Sequence, residues 1–338
     1  MRSLDALVRS LHQAEDVPET GTPDLLLYTP CPVKLVVKER VEALAAAAAP
    51  PLTAHIPMGC TVVDPFDPLY METDPDKLPA VIASIGFGDF WRPEFVRRFV
   101  HNGLFAAVRP RAVNPLYTEA AMADPAGAYT IYGVTPYIFL ADANKLGGLP
   151  LPRTWGDLLH PRYKGQIVMC GDGDDMADAV LLNIYKEYGR AGLAALAGNV
   201  KSLMHSSRMV KVCGTSAPDA GGIFIIPLFF ARSVSLPPGV AEIWPEDGAA
   251  ASPLYFLAKK SEQKRLAPLL DFLVNGFCGI DSAAWFIPLG AARDARLPPR
   301  ARLKWVGWEY AAAHDLNGLR DELVQRFRQS YGRAPCAS

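Results

Sequence analysis

The sequence holds no apolar run of the length that a membrane-spanning helix needs, about 18 residues or more. Its longest candidate, around Ile223 to Phe230, is short and contains Pro227, so no segment is expected to insert into a bilayer. Charge of one sign is also lacking: 34 lysines and arginines stand against 35 aspartates and glutamates. Nucleic-acid binders normally carry a basic surplus or stripe, and no nucleic-acid partner is expected. Met1 to Pro23 has no unbroken apolar core of the kind a secretory signal requires, and it carries Asp5, Glu15, Asp16 and Glu19 beside its arginines. On the sequence as given the chain is expected in the cytoplasm, and in the periplasm if the true N-terminus is missing. No CxxC pair occurs among the six cysteines, which in a reducing compartment read as thiols or metal ligands rather than disulfides.

What is present is a chain of 338 residues, half of them apolar, enough for two lobes of roughly 150 residues each. Leucines at helical spacing (Leu4, Leu7, Leu11) and a Pro/Gly stretch make residues 1–23 a short helix and linker. A strand at Asp24 to Tyr28, the loop Thr29-Pro-Cys-Pro32 and a helix over Val33 to Ala49 follow. Further strands are expected at Leu52 to Ile56 and at Leu78 to Ser84, the second running into Gly86-Phe-Gly88. Arg92 to Asn102 reads as a helix with Pro93 in its first turn. Tyr129 to Ala141 is a long β-rich run suited to crossing between lobes. A strand at Gln166 to Met169, helices over Met176 to Tyr188 and Arg190 to Asn199, and a strand at Gly222 to Ile226 form a second unit. Strands at Ala241 to Trp244 and Pro253 to Ala258 precede helices over Gln263 to Phe277 and Leu316 to Tyr331. Alternating strands and helices imply an α/β fold with largely parallel, doubly wound sheets.

Thr154-Trp-Gly-Asp-Leu-Leu159 and His160-Pro-Arg-Tyr-Lys-Gly165 stand before a strand. Trp244-Pro-Glu-Asp-Gly248 stands before Pro253-Leu-Tyr-Phe-Leu-Ala258, and a basic helix leads into Leu269-Leu-Asp-Phe-Leu273. In this order the segments resemble the solute-binding proteins of the iron(III), thiamine and phosphonate type of ABC importer, from about residue 24 to 295. The resemblance implies a type II periplasmic-binding-protein-like fold, two doubly wound lobes joined by crossover strands. Lobe one would be residues 24–130 plus 250–310, lobe two 131–249, and 311–338 a C-terminal helix and tail. It implies a ligand-binding protein rather than an enzyme, one that closes on a small molecule or metal species and serves a membrane transporter or an assembly partner. The cleft would be lined by strand-end loops and helix N-termini, which offer unpaired N–H groups and a positive dipole end. Carried over by position, its ligand-binding residues are Thr29, Lys34, Ser84, Gly86, Asp172, His205 and Phe229.

Two departures matter. Iron(III) binders of this family use adjacent tyrosines, whereas this chain reads Pro227-Leu-Phe-Phe-Ala231, and phenylalanine has no oxygen to offer a ferric ion. The other is the missing export signal. Cys31, Cys60 and Cys170 fall on the cleft loops, and thiolates suit a bound metal ion or an iron-sulfur cluster; Cys213 is a weaker candidate. The alternative is that these are small buried residues with no special role, and Cys278 is expected in the core. Asp172, Asp174 and Asp175 would favour a cationic ligand, and Lys34 and Arg208 an anionic one, so charge stays open. Cys31 with His205 is the pairing expected if the chain is instead a cysteine-dependent enzyme resembling thiamin-pyrimidine-synthesis proteins. The aromatics Tyr28, Phe87, Phe90, Trp91, Phe229 and Phe230 are expected mostly in the core, with some facing a pocket.

Overall fold

Three leucines in succession, Leu25–Leu27, form β1, and none has any solvent exposure. Such a run suits a strand covered on both faces, the usual state of a parallel strand. β1 indeed pairs in parallel with β2 (Ala54–His55) and β3 (Val81–Ile85). The structure is a computed structural model that describes residues 21–58, 64–171 and 177–333. Helix α1, Cys31–Ala47, follows β1; Pro30 is its cap residue and Pro32 lies in its first turn, where a missing N–H costs nothing. It buries Val33, Val37, Val41 and Ala45, spaced by four, against the sheet.

Beside β3 lies β9 (Ala249–Ala258), antiparallel, and beside β9 lies the 14-residue β4 (Tyr129–Asp142). The first part of β4 pairs with β9, and its last part with β7 (Ile223–Pro227) and β8 (Val240–Ile243). Beyond β7, β5 (Ile167–Met169) and β6 (Val200–Leu203) are parallel again. β10 (Leu303–Lys304) joins the start of β9. The strand order β2-β1-β3-β9-β4-β7-β5-β6 is therefore two parallel sets joined by two long antiparallel strands. The expected crossover at Tyr129 is β4, while the expected strand at Pro253 proves to start at Ala249, because β9 is the return crossover.

Helix α2 covers Asp178–Asn199 with a break at Gly189, whose φ of 62° and ψ of −159° leave the helical region, so the two helices expected there are both present, one on each side of it. Helices α3 (Ser206–Val212) and α4 (Leu228–Arg232) follow β6 and β7. Helix α5, Leu316–Arg333, packs along α2. Two expected helices are shorter than their sequence patterns: Arg92 to Asn102 becomes a turn at Pro93–Phe95 running into a π-turn at Val96–Val100, and Gln263 to Phe277 begins only at Ala267. The first 20 residues lie outside the described ones.

Candidate functional site

Parallel strands deliver their C-terminal ends to one sheet edge, and the loops leaving them converge there. On the β1–β3 side these are Thr29 to Cys31 after β1, Ile56 to Met58 after β2, and Gly86 to Trp91 after β3. Facing them are Cys170 after β5 and the starts of α2, α3 and α4. The floor between the two sides is the β4–β9 pair. There Thr135 stands opposite Ser252 and Tyr137 opposite Ala250, and Thr135, Tyr137 and Ser252 keep partial exposure while most of their neighbours are buried. Paired residues share a face, so this exposed polar row marks where the floor meets the cleft.

The walls touch at two seams. At the first, the Phe87 N–H donates to Asp178 Oδ2 over 3.3 Å. Gly86 makes this approach possible: its φ is +65°, and a Cβ there would stand 2.8 Å from Asp178 Oδ2. Asp178 opens α2, and burial raises its carboxyl above the usual 3.8 although Arg320 and the Phe87 and Ala179 N–H groups pull the other way. At the second seam Phe229 of α4 lies 5.5 Å from Phe286, ring centre to ring centre. Beside it Trp285 is clasped between the Arg232 and Arg296 guanidinium groups, 4.7 and 4.1 Å from its ring, and Arg232 is held by Glu242 through both carboxylate oxygens.

The expected ligand residues fare differently. Thr29 is 4% exposed, with its hydroxyl against the Tyr132 phenol. Lys34 is buried in α1, with Nζ 3.5 Å from the Met58 carbonyl. Ser84 pairs with Tyr255 across β3 and β9; burial raises the Tyr255 phenol, while Ser84 and Trp91 beside it work in the opposite direction. His205 caps α3, its Nδ1 taken up by Ser207, and stands edge-on to Phe230. Asp172 lies outside the described residues. Of the aromatics, Phe87, Phe90 and Trp91 are buried while Phe229 and Phe230 are half-buried.

The expected thiolate ligands are found as follows. Cys170 is buried with its sulfur 2.7 Å from the Ser206 hydroxyl, and Cys213 is buried with its thiol pushed up to about 12, chiefly by desolvation. Cys31 is the partly buried first residue of α1, and Cys60 lies outside the described residues. Among the described residues no three histidine, cysteine or carboxylate groups gather as a metal site would require, and burial accounts for Cys170 and Cys213. Cys278, expected in the core, is exposed and donates to the Asn275 carbonyl. Arg208 is paired with Asp219 rather than free for a ligand. Among the described residues no carboxylate orients His205, so the Cys31–His205 pairing lacks the acid that an activated pair needs.

Of the wall residues, His55, Asp64 and Tyr132 had no signal in the sequence. Tyr28 donates to Asp64 Oδ1 over 3.3 Å, and Asp64 Oδ2 lies 3.0 Å from His55 Nε2, which ties the loop after β2 to the end of β1. Tyr132, on β4, is buried; burial raises its phenol, and a hydrogen bond with the Thr29 hydroxyl beside it works in the opposite direction. A tyrosine in an apolar strand run reads as core, and only the register exposes these contacts.

The model of a family described as bacterial extracellular solute-binding protein matches residues 76–314. No curated protein matches the sequence. Among solved structures, a ferric binding protein from Bordetella is 13% identical over 90% of this chain and 98% of its own, with a TM-score of 0.59. An ABC transporter structure from Clostridium perfringens is 15% identical over 91% and 99%, also at 0.59. The periplasmic binding protein AfuA from Actinobacillus pleuropneumoniae, with exogenous fructose-6-phosphate bound, is 13% identical over 94% and 100%, at 0.57. At these identities the likeness is one of fold.

Proposed function

Because the chain belongs to the bacterial extracellular solute-binding protein family, we propose that it holds an organic solute in the cleft over the β4–β9 floor and passes it, untransformed, to a membrane transporter. The observation that carries this reading is the pair of long antiparallel strands under two seams, Gly86–Asp178 and Phe229–Phe286. Two crossover strands act as a hinge, and seams that meet across it are what a closed cleft needs. In this reading residues 24–130 with 250–310 form one lobe and 131–249 the other. Among the expected ligand residues, Thr29, Lys34, Ser84, Gly86, His205 and Phe229 are in this reading on or next to its walls, and Asp172 lies outside the described residues.

An organic solute is favoured over a bare ferric ion by the donors available. Phe229 and Phe230 stand where related iron(III) binders carry tyrosines, and the partly exposed Thr135, Tyr137 and Ser252 offer hydroxyls rather than carboxylates. Membership of an extracellular family supports a periplasmic location over a cytoplasmic one. No helix among the described residues is long and apolar enough to cross a membrane, so a separate transporter would carry the solute across.

The test is a thermal-shift screen of small organic solutes together with metal analysis of anaerobically purified protein. A ligand at a hundred times its dissociation constant stabilises by about 2.7 kcal/mol, an easily read rise in Tm. Stoichiometric iron or zinc with no organic ligand would replace this reading with a metal cargo, and turnover of any stabilising compound would end the claim that it is left untransformed.

A further inference from the structure

At the second seam each wall brings its own charges and its own counter-charges. Arg232, at the end of α4, is held by Glu242 of β8, with Nε and Nη2 at 2.9 and 2.6 Å from the two carboxylate oxygens. Arg296 is held in the same way by Asp294, at 3.0 and 2.6 Å. Trp285 lies on the turn Asp281–Phe286, and the chain that continues from this turn is anchored on the β1–β3 side. The Tyr117 hydroxyl donates to the Ile287 carbonyl over 2.7 Å, the Asn114 N–H donates to the Leu289 carbonyl over 2.8 Å, and Arg293 stands 3.9 Å from Glu119. The indole and Arg296 therefore belong to one wall, and Arg232 with Glu242 to the other.

The contact between the walls is a cation on a ring. The Arg232 guanidinium carbon is 4.7 Å from the Trp285 ring centre, and Nη2 donates to the Arg296 carbonyl over 3.3 Å. Such a contact holds best where water is kept out. The Arg232 side chain is 16% exposed and that of Arg296 58%, so the shielded cation is the one that comes from the opposite wall. Parting the walls breaks the ring contact and one hydrogen bond, while Glu242 stays with Arg232 and Asp294 with Arg296. An ion pair spanning the seam would be different, because opening it would strip a half-buried charge of its partner, which is strongly opposed.

We infer that Arg232 is a detachable latch of the closed cleft, a positioning residue that Glu242 carries as a unit and that docks on Trp285 when the walls meet. The inference rests on the two-lobed solute-binding reading and adds a determinant of how often the cleft stands closed. A contact of this kind shifts an equilibrium about tenfold. The apparent affinity for a solute taken by the closed form follows the closed fraction, so the latch tunes affinity without touching the solute.

The experiment follows hydrogen exchange of the full chain in two peptides, 223–233 with α4 and 277–290 with Trp285. Trp285→Leu removes the ring and leaves the Arg232–Glu242 pair, whereas Arg232→Met with Glu242→Gln removes the pair and leaves the ring. Each variant is expected to speed exchange about tenfold in both peptides, including the one on the wall it does not alter, while amides at 25–27 and 167–169 keep wild-type rates. The three substitutions together are expected to go no further than either variant. Tyr70→Leu removes a ring 4.4 Å from the Arg92 guanidinium within residues 24–130, and is expected to leave both peptides at wild-type rates. Rates that do not change, that rise only in the peptide carrying the substitution, or that add in the combined protein overturn the latch, as does a Tyr70→Leu protein that loosens both peptides. Any of these beside a solute that still raises the wild-type Tm leaves the solute-binding function standing. A protein that no solute stabilises loses that function, and the latch with it.

Discussion

Gly86→Ala probes the first seam with a single methyl group. At φ +65° an alanine is held in the left-handed region, which costs about 1–2 kcal/mol. Its Cβ would also stand 2.8 Å from Asp178 Oδ2, closer than a carbon and an oxygen can rest, so the carboxylate must swing away and release the Phe87 N–H that it now accepts at 3.3 Å. Losing a hydrogen bond to a charged group adds about 1.5–3 kcal/mol, for a total of about 2.5–5 kcal/mol. In an Asp178→Ala background the carboxylate and its bond are already gone, and only the conformational part of about 1–2 kcal/mol remains. Urea unfolding of wild type, both single variants and the double variant closes the cycle. A coupling of at least about 1 kcal/mol is expected, and additivity within about 0.5 kcal/mol would refute the claim that the seam is built on this contact. Small-angle scattering adds an independent check, because a wedged seam should make Gly86→Ala the more extended protein.

Three further outcomes are expected. Burial raises the Asp178 carboxyl above its ordinary 3.8, so the native state binds this proton more tightly than the unfolded state. Its contribution to stability is therefore present at low pH and is lost as pH rises from the unfolded value through the raised native one; Asp178→Asn should raise Tm at pH 7 more than at pH 3. In the native protein the exposed Cys278 should be alkylated at pH 8 well before Cys213, whose buried thiol is pushed up to about 12, and mass mapping that finds the reverse order would place these residues wrongly. Trp155, 1% exposed, donates Nε1–H to the Gly248 carbonyl at 2.8 Å and meets Phe139 edge-on; Trp155→Ala should cost about 3–5 kcal/mol in urea unfolding.

The elements that could be read from the chain were those whose environment is uniform. Leu25–Leu27 and Ile223–Pro227 are covered on both faces and appear as unbroken apolar runs, and the β-rich run at Tyr129 became the 14-residue β4. Elements that exist through their neighbours were missed. Val200–Leu203 mixes lysine and serine with apolar residues and is a strand only because β5 lies beside it, and Leu303–Lys304 only because Ala249 and Ala250 do. Cys278 looked like core because its segment is apolar, yet the short 3-10 turn at Phe277–Gly279 places it outward.

For the candidate site the division is sharper. Local order along the chain was enough to bring Thr29, Lys34, Ser84, Gly86 and Phe229 to the strand ends and helix starts of a two-sided cleft, since a loop's position at a sheet edge follows from the strand before it. Nothing local could say that Gly86 meets Asp178 or that Phe229 meets Phe286, 57 residues on. The same holds for the Tyr132 hydroxyl beside Thr29, which depends on the β4–β9 register and on how β1 lies against it. The cysteines show the same limit, since their spacing says nothing of the packing that buries Cys170 beside Ser206 and Cys213 in the core. Sequence by itself determined the elements and the edge at which they end, because hydrophobic period and turn chemistry act over a few residues. Tertiary structure alone decided which side chains face each other across the cleft, because that depends on contacts between segments far apart in the chain.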